Sequence, residues 1–428
     1  MIRIIDYARC SPEDILTRGI VHDDVSQTVA QIIARVKAEG DGALFEYTAK
    51  FDRAELTQLL VSEEEIEQAI KLCDNELIQI MEQAAQNIRD YHMHQLQSSF
   101  IISENEGVIL GQKVTPLSRV GIYVPGGTAA YPSTVLMNTI PAKLAGVKEI
   151  IMFTPPCEQG TIKPAILAAA RIAGVDKIYK VGGAQAIAAL AYGTQSIPRC
   201  VKIVGPGNVF VAEAKRQVYG LVDIDMIAGP SEILIIADST ANSSHLAADM
   251  LSQAEHDRNA SAVLITDCAD LAHRVSNQLE QQLPMLEREE IARASIEANA
   301  KIIYVDSLDQ AVEAANIIAP EHLELCIDNP FDYLDGIENA GSIFLGKYTP
   351  EALGDYFAGT NHTLPTSGTA KFSSPLSVED FIKKSAFSYY TKPALEKVYK
   401  KVARFACEEG LGGHARSALI RFEEPSKL

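Results

Sequence analysis

The stretch VGIYVPGGTAAYPSTVLMNTIPAKLAGVKEIIMFT, residues 120–154, decides the fold of this chain. Two short apolar runs, Val120–Val124 and Ile150–Thr154, lie on either side of the helical candidate Thr134–Leu144. Short apolar runs that alternate with helices of about ten residues predict βαβ units, in which the strands are parallel. The Pro-Gly-Gly after the first run indicates a turn at the carboxyl end of its strand.

The same alternation continues along most of the chain. The other runs expected to form strands are Lys177–Val181, Val201–Val204, Ile233–Ala237, Ala262–Thr266, Lys301–Val305, Leu323–Ile327 and Ser342–Leu345. The helices expected between them are Ala165–Ala173, Gln185–Tyr192, Val209–Val218, Ser243–Gln253, Leu271–Gln282 and Leu308–Ile318. We therefore expect an α/β fold with two successive parallel-rich sheets, preceded by a helical N-terminal region. After Phe372 the alternation weakens, and the remaining residues resemble an appended tail.

Composition and charge narrow the functional class. The chain has 428 residues, with 56 acidic against 38 basic side chains and a formal net charge of −18. This charge disfavours non-specific binding to nucleic acid or to anionic membranes. The seven cysteines form no CxxC pair, which is typical of reduced thiols in a cytoplasmic protein. The uncharged stretch 121–142 is interrupted by glycine and proline, so we interpret it as buried core rather than a membrane span.

Glycine-rich turns follow several predicted strands, although no GxGxxG motif follows the first strand of either sheet. The three turns are Pro125-Gly126-Gly127, Gly182-Gly183 and Gly205-Pro206-Gly207-Asn208. All three lie at carboxyl ends of parallel strands, the edge at which open α/β sheets bind ligands. One such turn can be an ordinary connection, but three at one edge favour a nucleotide or a similar ligand.

Three histidines have neighbours that suit a metal site. His256 lies three residues after Gln253, so the two side chains share one face of a helix. His362 lies in the polar segment AGTNHTLPTSG, a few residues after Asp355, and His414 lies among glycines near the C-terminus. Nitrogen and oxygen ligands suit Zn²⁺ or a neighbouring divalent metal, so Gln253, His256, Asp355 and His414 are candidate ligands. By contrast, His22, His92, His94 and His273 lie in polar helical contexts and are expected at the surface.

The adjacent pair Glu321 and His322 stands just ahead of a predicted strand and after Pro320. An imidazole titrates near neutral pH, so His322 is a candidate general base, and the carboxylate can activate water. An equally simple interpretation is that Glu321 and His322 belong to a solvent-exposed turn and have no chemical role. Cys326, four residues later, offers a different route through a thiohemiacetal, but its apolar strand context favours a buried structural thiol.

Eight segments, in order along the chain, give it a resemblance to the histidinol dehydrogenases. They are VGIYVPGG, GGAQAIAALAYGT, VGPGNVFVAEAKRQV, AGPSEILIIAD, LSQAEHD, APEHLEL, LGDYFAGTNHTLPT and EGLGGHARSALIR. The resemblance implies an enzyme that oxidises L-histidinol to L-histidine through histidinal in the last steps of histidine biosynthesis, with two NAD⁺ and a bound Zn²⁺.

The resemblance also assigns roles to residues of this sequence. It places the catalytic pair on Glu321 and His322 and the zinc ligands on Gln253, His256, Asp355 and His414. It places NAD contacts on Tyr123, Gln185 and Asn208. The residues expected to contact substrate are Ser231, Gln253, His256, His322, Asp355, Glu409 and His414.

For the architecture, the resemblance implies two incomplete Rossmann-like domains and a cytoplasmic homodimer whose C-terminal tails complete each other's sites. The expected bounds are an N-terminal arm (1–24), a discontinuous first domain (25–115 and 237–372), a second domain on the NAD side (116–236) and a dimerisation tail (373–428). Two other functions remain open: a dehydrogenase of the same scaffold that acts on another polar alcohol, and a non-catalytic small-molecule binding protein.

Overall fold

The computed structural model describes residues 2–9, 11, 15–16, 24–126 and 130–423. The chain divides into a main unit, residues 1–96 and 117–381, and a small unit, residues 97–116 and 382–428. Of the residues that the sequence analysis singled out, Cys10, His22 and Gly127 lie outside the described residues. Nearly all the predicted parallel strands and their helices belong to the main unit, so this unit contains the sheet edges that are candidate ligand sites.

The strands are short, as buried parallel strands commonly are. In chain order they are β1 (Arg3–Asp6), β2 (Phe100–Ile102), β3 (Val108–Pro116), β4 (Arg119–Tyr123), β5 (Glu149–Thr154), β6 (Lys177–Lys180), β7 (Lys202–Val204), β8 (Asp223–Ile224), β9 (Glu232–Ala237), β10 (Ser261–Thr266), β11 (Lys301–Tyr304), β12 (His322–Cys326), β13 (Ser342–Leu345) and β14 (Ile382–Tyr390).

The helices alternate with the strands through most of the main unit. In chain order they are α1 (Ser26–Glu39), α2 (Asp41–Phe51), α3 (Glu63–Leu72), α4 (Asn75–Met93), α5 (Pro132–Leu144), α6 (Pro164–Ala173), α7 (Gly183–Tyr192), α8 (Val209–Val218), α9 (Ser243–Ala254), α10 (Ala269–Gln282), α11 (Glu289–Asn299), α12 (Leu308–Ile318), α13 (Phe331–Leu334), α14 (Glu351–Tyr356), α15 (Lys392–Glu396), α16 (Tyr399–Glu408) and α17 (Gly412–Leu419).

Two parallel sheets form the framework of the main unit. One has six strands in the order β1-β11-β10-β9-β12-β13, and the other has five in the order β6-β5-β4-β7-β8. Every strand pair in both sheets is parallel. Both sheets are covered by helices, which explains why their strands are continuous apolar runs without an alternating pattern. The predicted α/β class with two parallel-rich sheets is confirmed.

The five-stranded sheet has a different apolar core on each face. One core contains residues of α3, α4, α5 and α6, and the other contains residues of α1, α2, α7 and α8. The N-terminal helices therefore pack against this sheet, whereas the domain bounds expected from the sequence group residues 25–115 with 237–372. These helices pack through apolar faces, such as the one formed by Val29, Ile33 and Val36. The sequence shows that such a face is apolar, but it does not show which sheet the face packs against. The domain bounds themselves stay a prediction.

The small unit is built differently. Its sheet is antiparallel, with the order β14-β3-β2, and β3 pairs with β14 along its whole length. Only three alanines form its apolar cluster of buried residues, at positions 403, 406 and 415. These strands were absent from the sequence-based prediction. Among the described residues of the chain, no helix combines the length and the apolar composition that crossing a membrane requires.

A buried ion pair fixes the turn that follows β7. Lys215 on α8 pairs with Asp225, and the two side chains are 2% and 1% exposed. The Lys215 Nζ also donates to the carbonyl of Gly205 at 2.9 Å, and Asp225 accepts from the Gly205 N–H at 2.7 Å. Gly205 has φ +109°, and a Cβ there would lie 2.0 Å from the carbonyl oxygen of Tyr123. The pair thus holds a turn that only glycine can make at this close approach.

We expect Lys215→Met to lower the free energy of unfolding by about 3–5 kcal/mol, because it leaves the Asp225 carboxylate buried without its cation. Urea denaturation followed by circular dichroism measures the change. The matched control is Arg216→Met, which removes an exposed ion pair with Glu213 and should cost about 1 kcal/mol or less. Equal losses in the two variants would contradict a special role for the buried pair.

Candidate active site

His322 is the first residue of β12, between β9 and β13 in the six-stranded sheet. Helix α12 ends at Ile318, and the next residue, Ala319, has a φ of +51° that turns the chain sharply toward the strand. Glu321 lies at this turn, and its Oε2 accepts from the backbone N–H of Glu232 at 2.8 Å. Both members of the predicted pair are buried: His322 is 3% and Glu321 8% exposed. The simple interpretation as a solvated turn is therefore wrong.

The Nδ1 side of His322 is held by three groups. Nδ1 lies 2.9 Å from the carbonyl oxygen of Glu232 and 2.9 Å from Nε2 of Gln253 at the end of α9. The carboxylate of Glu321 is 3.6 Å away from the same nitrogen. Gln253 Nε2 donates in addition to the Glu232 carbonyl at 3.3 Å. These contacts fix the ring plane and direct Nε2 away from the strand.

Helix α14 brings two carboxylates to the opposite edge of the imidazole. Nε2 of His322 lies 3.7 Å from Asp355 Oδ1 and 4.0 Å from Glu351 Oε1. Residues 351 and 355 are four apart, so they lie on the same face of the helix. Ser252 on α9 donates to Glu351 at 2.9 Å and orients its carboxylate. One imidazole therefore lies among three carboxylates.

The charges of this cluster shift several pKa values. Burial by itself would lower the pKa of His322, but Glu321 and the other carboxylates outweigh it and raise that pKa to about 10. Burial raises the pKa of Glu321 to about 8 and that of Glu351 to about 7. For Asp355, burial acts upward, but His322, His362 and Glu351 together outweigh it and bring the pKa to about 2. Without another cation, the proton on His322 balances these carboxylates.

The cluster has the polar atoms that a divalent cation needs. Among the described residues, Gln253 Oε1 and His322 Nε2 are buried atoms with no hydrogen-bond partner. His322, Glu351 and Asp355 each offer a ligand atom, and these atoms lie within 4.8 Å of one another. A buried polar atom without a hydrogen-bond partner costs free energy. A cation coordinated by the Gln253 oxygen and a carboxylate would remove this cost. The residues present therefore fit a metal.

Of the other two candidate ligands, His256 belongs to the main unit and His414 to the small unit. His256 follows the end of α9, and its side chain is exposed. Desolvation by the surrounding protein lowers the pKa of its imidazole, and the charge of nearby Asp355 opposes this. Gln253, His256 and Asp355 thus lie in one neighbourhood.

His414 is an exposed residue of α17 in the small unit, and Glu409 is the exposed residue that follows the end of α16.

His362 connects this cluster to the five-stranded sheet. Its Nδ1 lies 3.1 Å from the backbone oxygen of Asp355, and its Nε2 lies 3.4 Å from the hydroxyl oxygen of Thr134, near the start of α5. Burial lowers the pKa of His362, which favours the neutral ring. The carboxyl edge of β4, from which the chain enters α5, therefore lies beside the His322 cluster.

The glycine-rich edge of the five-stranded sheet brings two of the expected NAD contacts together. The Tyr123 hydroxyl accepts from the N–H of Gly183 at 3.0 Å, at the start of α7. The Gln185 side chain folds back over the same turn. Its Oε1 is so close that a Cβ added at Gly183 would lie 2.8 Å from it. Asn208 begins α8, and its side-chain oxygen accepts from the N–H groups of Phe210 and Val211. Close backbone approach at these glycines, and the start of α7, where Gly182 offers no side-chain cap, suit a phosphate-bearing ligand.

Cys326 lies farther along β12, in a second acidic cluster with Asp249 and Glu324. The thiol is buried and donates to Glu324 Oε2 at 3.7 Å. Burial raises its pKa far above the ordinary value for a thiol. A nucleophilic cysteine needs a lowered pKa, so this environment supports a structural thiol.

Two further residues escaped the sequence reasoning. Glu351 contacts the imidazole edge, and its spacing to Asp355 was a signal that could have revealed it. His92 was expected at the surface but is fully buried, with Nδ1 2.7 Å from Gln95 Oε1. It continues the helix face of Ala84, Ala85 and Ile88, so helical spacing predicts its burial.

His94 and His273 are exposed, as expected. Ser231 directly precedes Glu232, beside the cluster.

Comparison with known proteins gives a consistent result. A family model described as histidinol dehydrogenase matches residues 17–422. A histidinol dehydrogenase from Clostridium acetobutylicum is 55% identical over 406 residues, 95% of this chain and 94% of the relative. One from Listeria innocua is 56% identical over 402 residues, 94% of each chain. The crystal structure of histidinol dehydrogenase from Elizabethkingia anophelis superposes with a TM-score of 0.94 at 42% identity, covering 98% of each chain.

We expect Asp355→Asn to weaken Zn²⁺ binding at least about 10-fold, because it removes a carboxylate from the cluster with the unpartnered amide and imidazole atoms. Calorimetric titration of metal-stripped protein measures the affinity. Asp249→Asn is the matched control, since it makes the same change in the second acidic cluster, and it should bind Zn²⁺ like the wild type. The reverse ranking would move the metal site to the second cluster.

Proposed function

The chain belongs to the histidinol dehydrogenase family, and from this premise we propose how its own residues carry out the reaction. The protein is an oxidoreductase of histidine biosynthesis that acts on histidinol. We propose that it takes L-histidinol to L-histidine through histidinal, with NAD⁺ as the acceptor of both hydrides and Zn²⁺ as the resident metal, in the cytoplasm. The observation that carries the proposal is the buried His322, held between Gln253, Glu321 and the carboxylates of α14.

Gln253, His256 and Asp355, completed by His414, are the residues that we propose to hold the metal. A bound Zn²⁺ supplies a Lewis acid and a fixed anchor for the nitrogen donors of the substrate. A divalent positive charge in this cluster would also favour deprotonated forms, so it would lower the pKa of His322 from about 10 toward the range in which a neutral imidazole acts as a base.

His322 is proposed as the base of the first oxidation. Its imidazole takes the hydroxyl proton of histidinol as the carbon-bound hydrogen leaves as hydride to NAD⁺, which yields the aldehyde and NADH. In the neutral base, Nδ1–H donates to the carbonyl of Glu232, and this hydrogen bond and the contact with the Gln253 amide hold the ring in place during the transfer. Orientation of this kind supplies a large part of a catalytic rate.

Glu321 is proposed as the base that activates water for the second oxidation. Water adds to the aldehyde as the carboxylate takes one of its protons and the protonated His322 returns its proton to the aldehyde oxygen, so the hydrate forms and the imidazole is neutral again. His322 then accepts the hydrate proton while the second hydride leaves to NAD⁺, which yields the carboxylic acid. Burial raises the pKa of Glu321 to about 8, which makes its ionised form a stronger base, and a bound cation would bring this pKa back toward neutral pH.

We expect His322→Asn to slow both oxidations by about 10²–10⁴-fold, the usual contribution of a positioned base. Glu321→Gln should spare the first hydride transfer and slow the second. Stopped-flow recording of NADH with histidinol and with histidinal separates the two steps. His273→Asn, an exposed histidine on α10, is the control and should be fully active. Equal slowing of both steps in Glu321→Gln would contradict the division of labour.

The same assays separate the alternative functions. If another amino alcohol is oxidised faster than histidinol, the enzyme uses this scaffold for a different substrate. If no NADH forms with any alcohol, the chain is a binding protein. Cys326→Ala should keep aldehyde oxidation, because the buried thiol takes no part in it.

The small unit supports a homodimer with shared sites. Its apolar cluster contains only Ala403, Ala406 and Ala415, which is too little to stabilise a unit of this size. At the same time Phe100, Ile101, Tyr389 and Phe405 are 49%, 68%, 57% and 70% exposed in the single chain. Exposed apolar surface of this extent marks a protein interface. We propose that a second copy covers it and that Glu409 and His414 complete the partner's site.

Co-expression of a His322→Asn chain with a His414→Asn chain tests the sharing of sites. If His414 serves the partner, each mixed dimer has one intact site and one doubly defective site. Because random pairing makes half of the dimers mixed, roughly a quarter of wild-type activity returns. Each variant expressed alone is the control. No recovery from verified mixed dimers would mean that His414 serves its own chain.

A further inference from the structure

Helix α14 carries two of the carboxylates that face His322, yet little apolar packing holds this helix in place. It has six residues, of which only Glu351 and Gly354 are buried. Leu353 and Tyr356 are 37% and 61% exposed. The position of the α14 carboxylates relative to the imidazole therefore depends on polar contacts that the helix makes with its surroundings.

The start of α14 receives its hydrogen-bond acceptor from another element. Its N-cap residue is Pro350, which makes no side-chain capping hydrogen bond, and the first N–H groups of a helix have no acceptor within the helix. Glu324 supplies the acceptor, because its Oε1 accepts from the backbone N–H of Glu351 at 2.7 Å. Glu324 is 1% exposed, so water does not compete for this hydrogen bond. The contact fixes the point at which the helix begins.

Glu324 lies on the same strand as the imidazole. It follows His322 by two residues in β12, and alternate residues of a strand point to the same side of the sheet. Cys326, two residues farther along, packs in the core that contains α9. Leu323 and Leu325 pack in the core on the other side. One strand therefore carries both the imidazole and the group that anchors the carboxylates facing it.

Glu351 is held at two points, one on its backbone and one on its side chain. Glu324 accepts from its N–H, and Ser252 on α9 donates to its carboxylate at 2.9 Å. Asp355 lies one helical turn farther along the same face. Together these contacts set the gaps of 4.0 Å and 3.7 Å that separate His322 Nε2 from the carboxylates of Glu351 and Asp355.

The ionisation of Glu324 suits the role of an acceptor rather than that of a charge. Burial, together with the nearby charge of Asp249, raises its pKa to about 8, so the neutral acid predominates at neutral pH. An amide at this position would keep the accepting oxygen and the absence of charge. A shorter carboxylic acid would keep the ionisable group but withdraw its oxygen from the Glu351 N–H.

From these contacts we infer that Glu324 is a positioning residue, which holds the carboxylates of α14 at the distance from His322 that binding of the metal requires. The inference rests on the proposed function and adds the residue that sets the geometry of its site. Glu324 acts through the backbone of Glu351 and is itself neither a metal ligand nor a catalytic residue.

Glu324→Asp tests the assignment, and Glu324→Gln is the matched variant that keeps the accepting oxygen. Calorimetric titration of metal-stripped protein should show Zn²⁺ affinity about 10-fold or more weaker in Glu324→Asp, the usual effect of losing a group that orients a metal ligand. Hydrogen–deuterium exchange at α14 in the metal-free protein should be faster in the same variant, because the helix opens more often. Glu324→Gln should match the wild type in both measurements.

Titration with NAD⁺ separates positioning from general damage to the fold. The residues expected to contact NAD⁺ belong to the five-stranded sheet, so both variants should bind NAD⁺ like the wild type. Equal losses of NAD⁺ and Zn²⁺ affinity in Glu324→Asp overturn the inference, because they indicate a purely structural role. Unchanged exchange at α14 in Glu324→Asp overturns it as well.

The variant Glu324→Gln decides alone if Glu324→Asp does not fold. Wild-type affinity for Zn²⁺ in Glu324→Gln supports an acceptor without charge, and weaker affinity overturns it. If the wild type binds no Zn²⁺, the proposed metal fails, whereas exchange at α14 still decides whether Glu324 holds the helix.

Discussion

The structure around the site depends on the balance between one buried imidazole and the carboxylates that surround it. His322, Glu321, Glu351 and Asp355 are removed from water, so each charge requires a partner within a few ångströms. This requirement brings together the start of β12, the end of α9 and the short helix α14, which are far apart in the sequence. The same cluster leaves Gln253 Oε1 and His322 Nε2 without partners. Its charge and its unpartnered atoms both suit a divalent cation.

The parallel sheets determine where this cluster can form. In the five-stranded sheet, the candidate ligand residues lie at the carboxyl ends of β4 and β7. In the six-stranded sheet, His322 lies at the start of β12. The ion pair of Lys215 and Asp225 holds the turn after β7, and Tyr123 bridges the turn before α7. Through Thr134 and His362, the edge of the five-stranded sheet lies beside the His322 cluster of the six-stranded sheet. The two candidate ligand sites, one on each sheet, therefore lie side by side.

Local pattern predicted the parallel strands well because a strand that is buried on both faces must be apolar along its whole length. Each of the nine predicted strands agrees with an observed strand to within one residue at either end. The pattern failed for β2, β3 and β14, because β2 has only three residues and the longer strands β3 and β14 mix polar with apolar residues on half-buried or exposed positions. It also failed for β1 and β8, because these edge strands are short and carry polar residues.

The sequence by itself determined the α/β class, the order of the strands along the chain and the family, because apolar runs, glycine turns and eight ordered motifs are local properties. It also identified Glu321 and His322 as a titratable pair. Only the tertiary structure decided that this pair is buried, that Glu351 belongs with Asp355 at the imidazole, that His92 is internal and that Glu324 accepts from the backbone of α14. Burial and charge balance arise from contacts between elements that are distant in sequence, so no local pattern contains them.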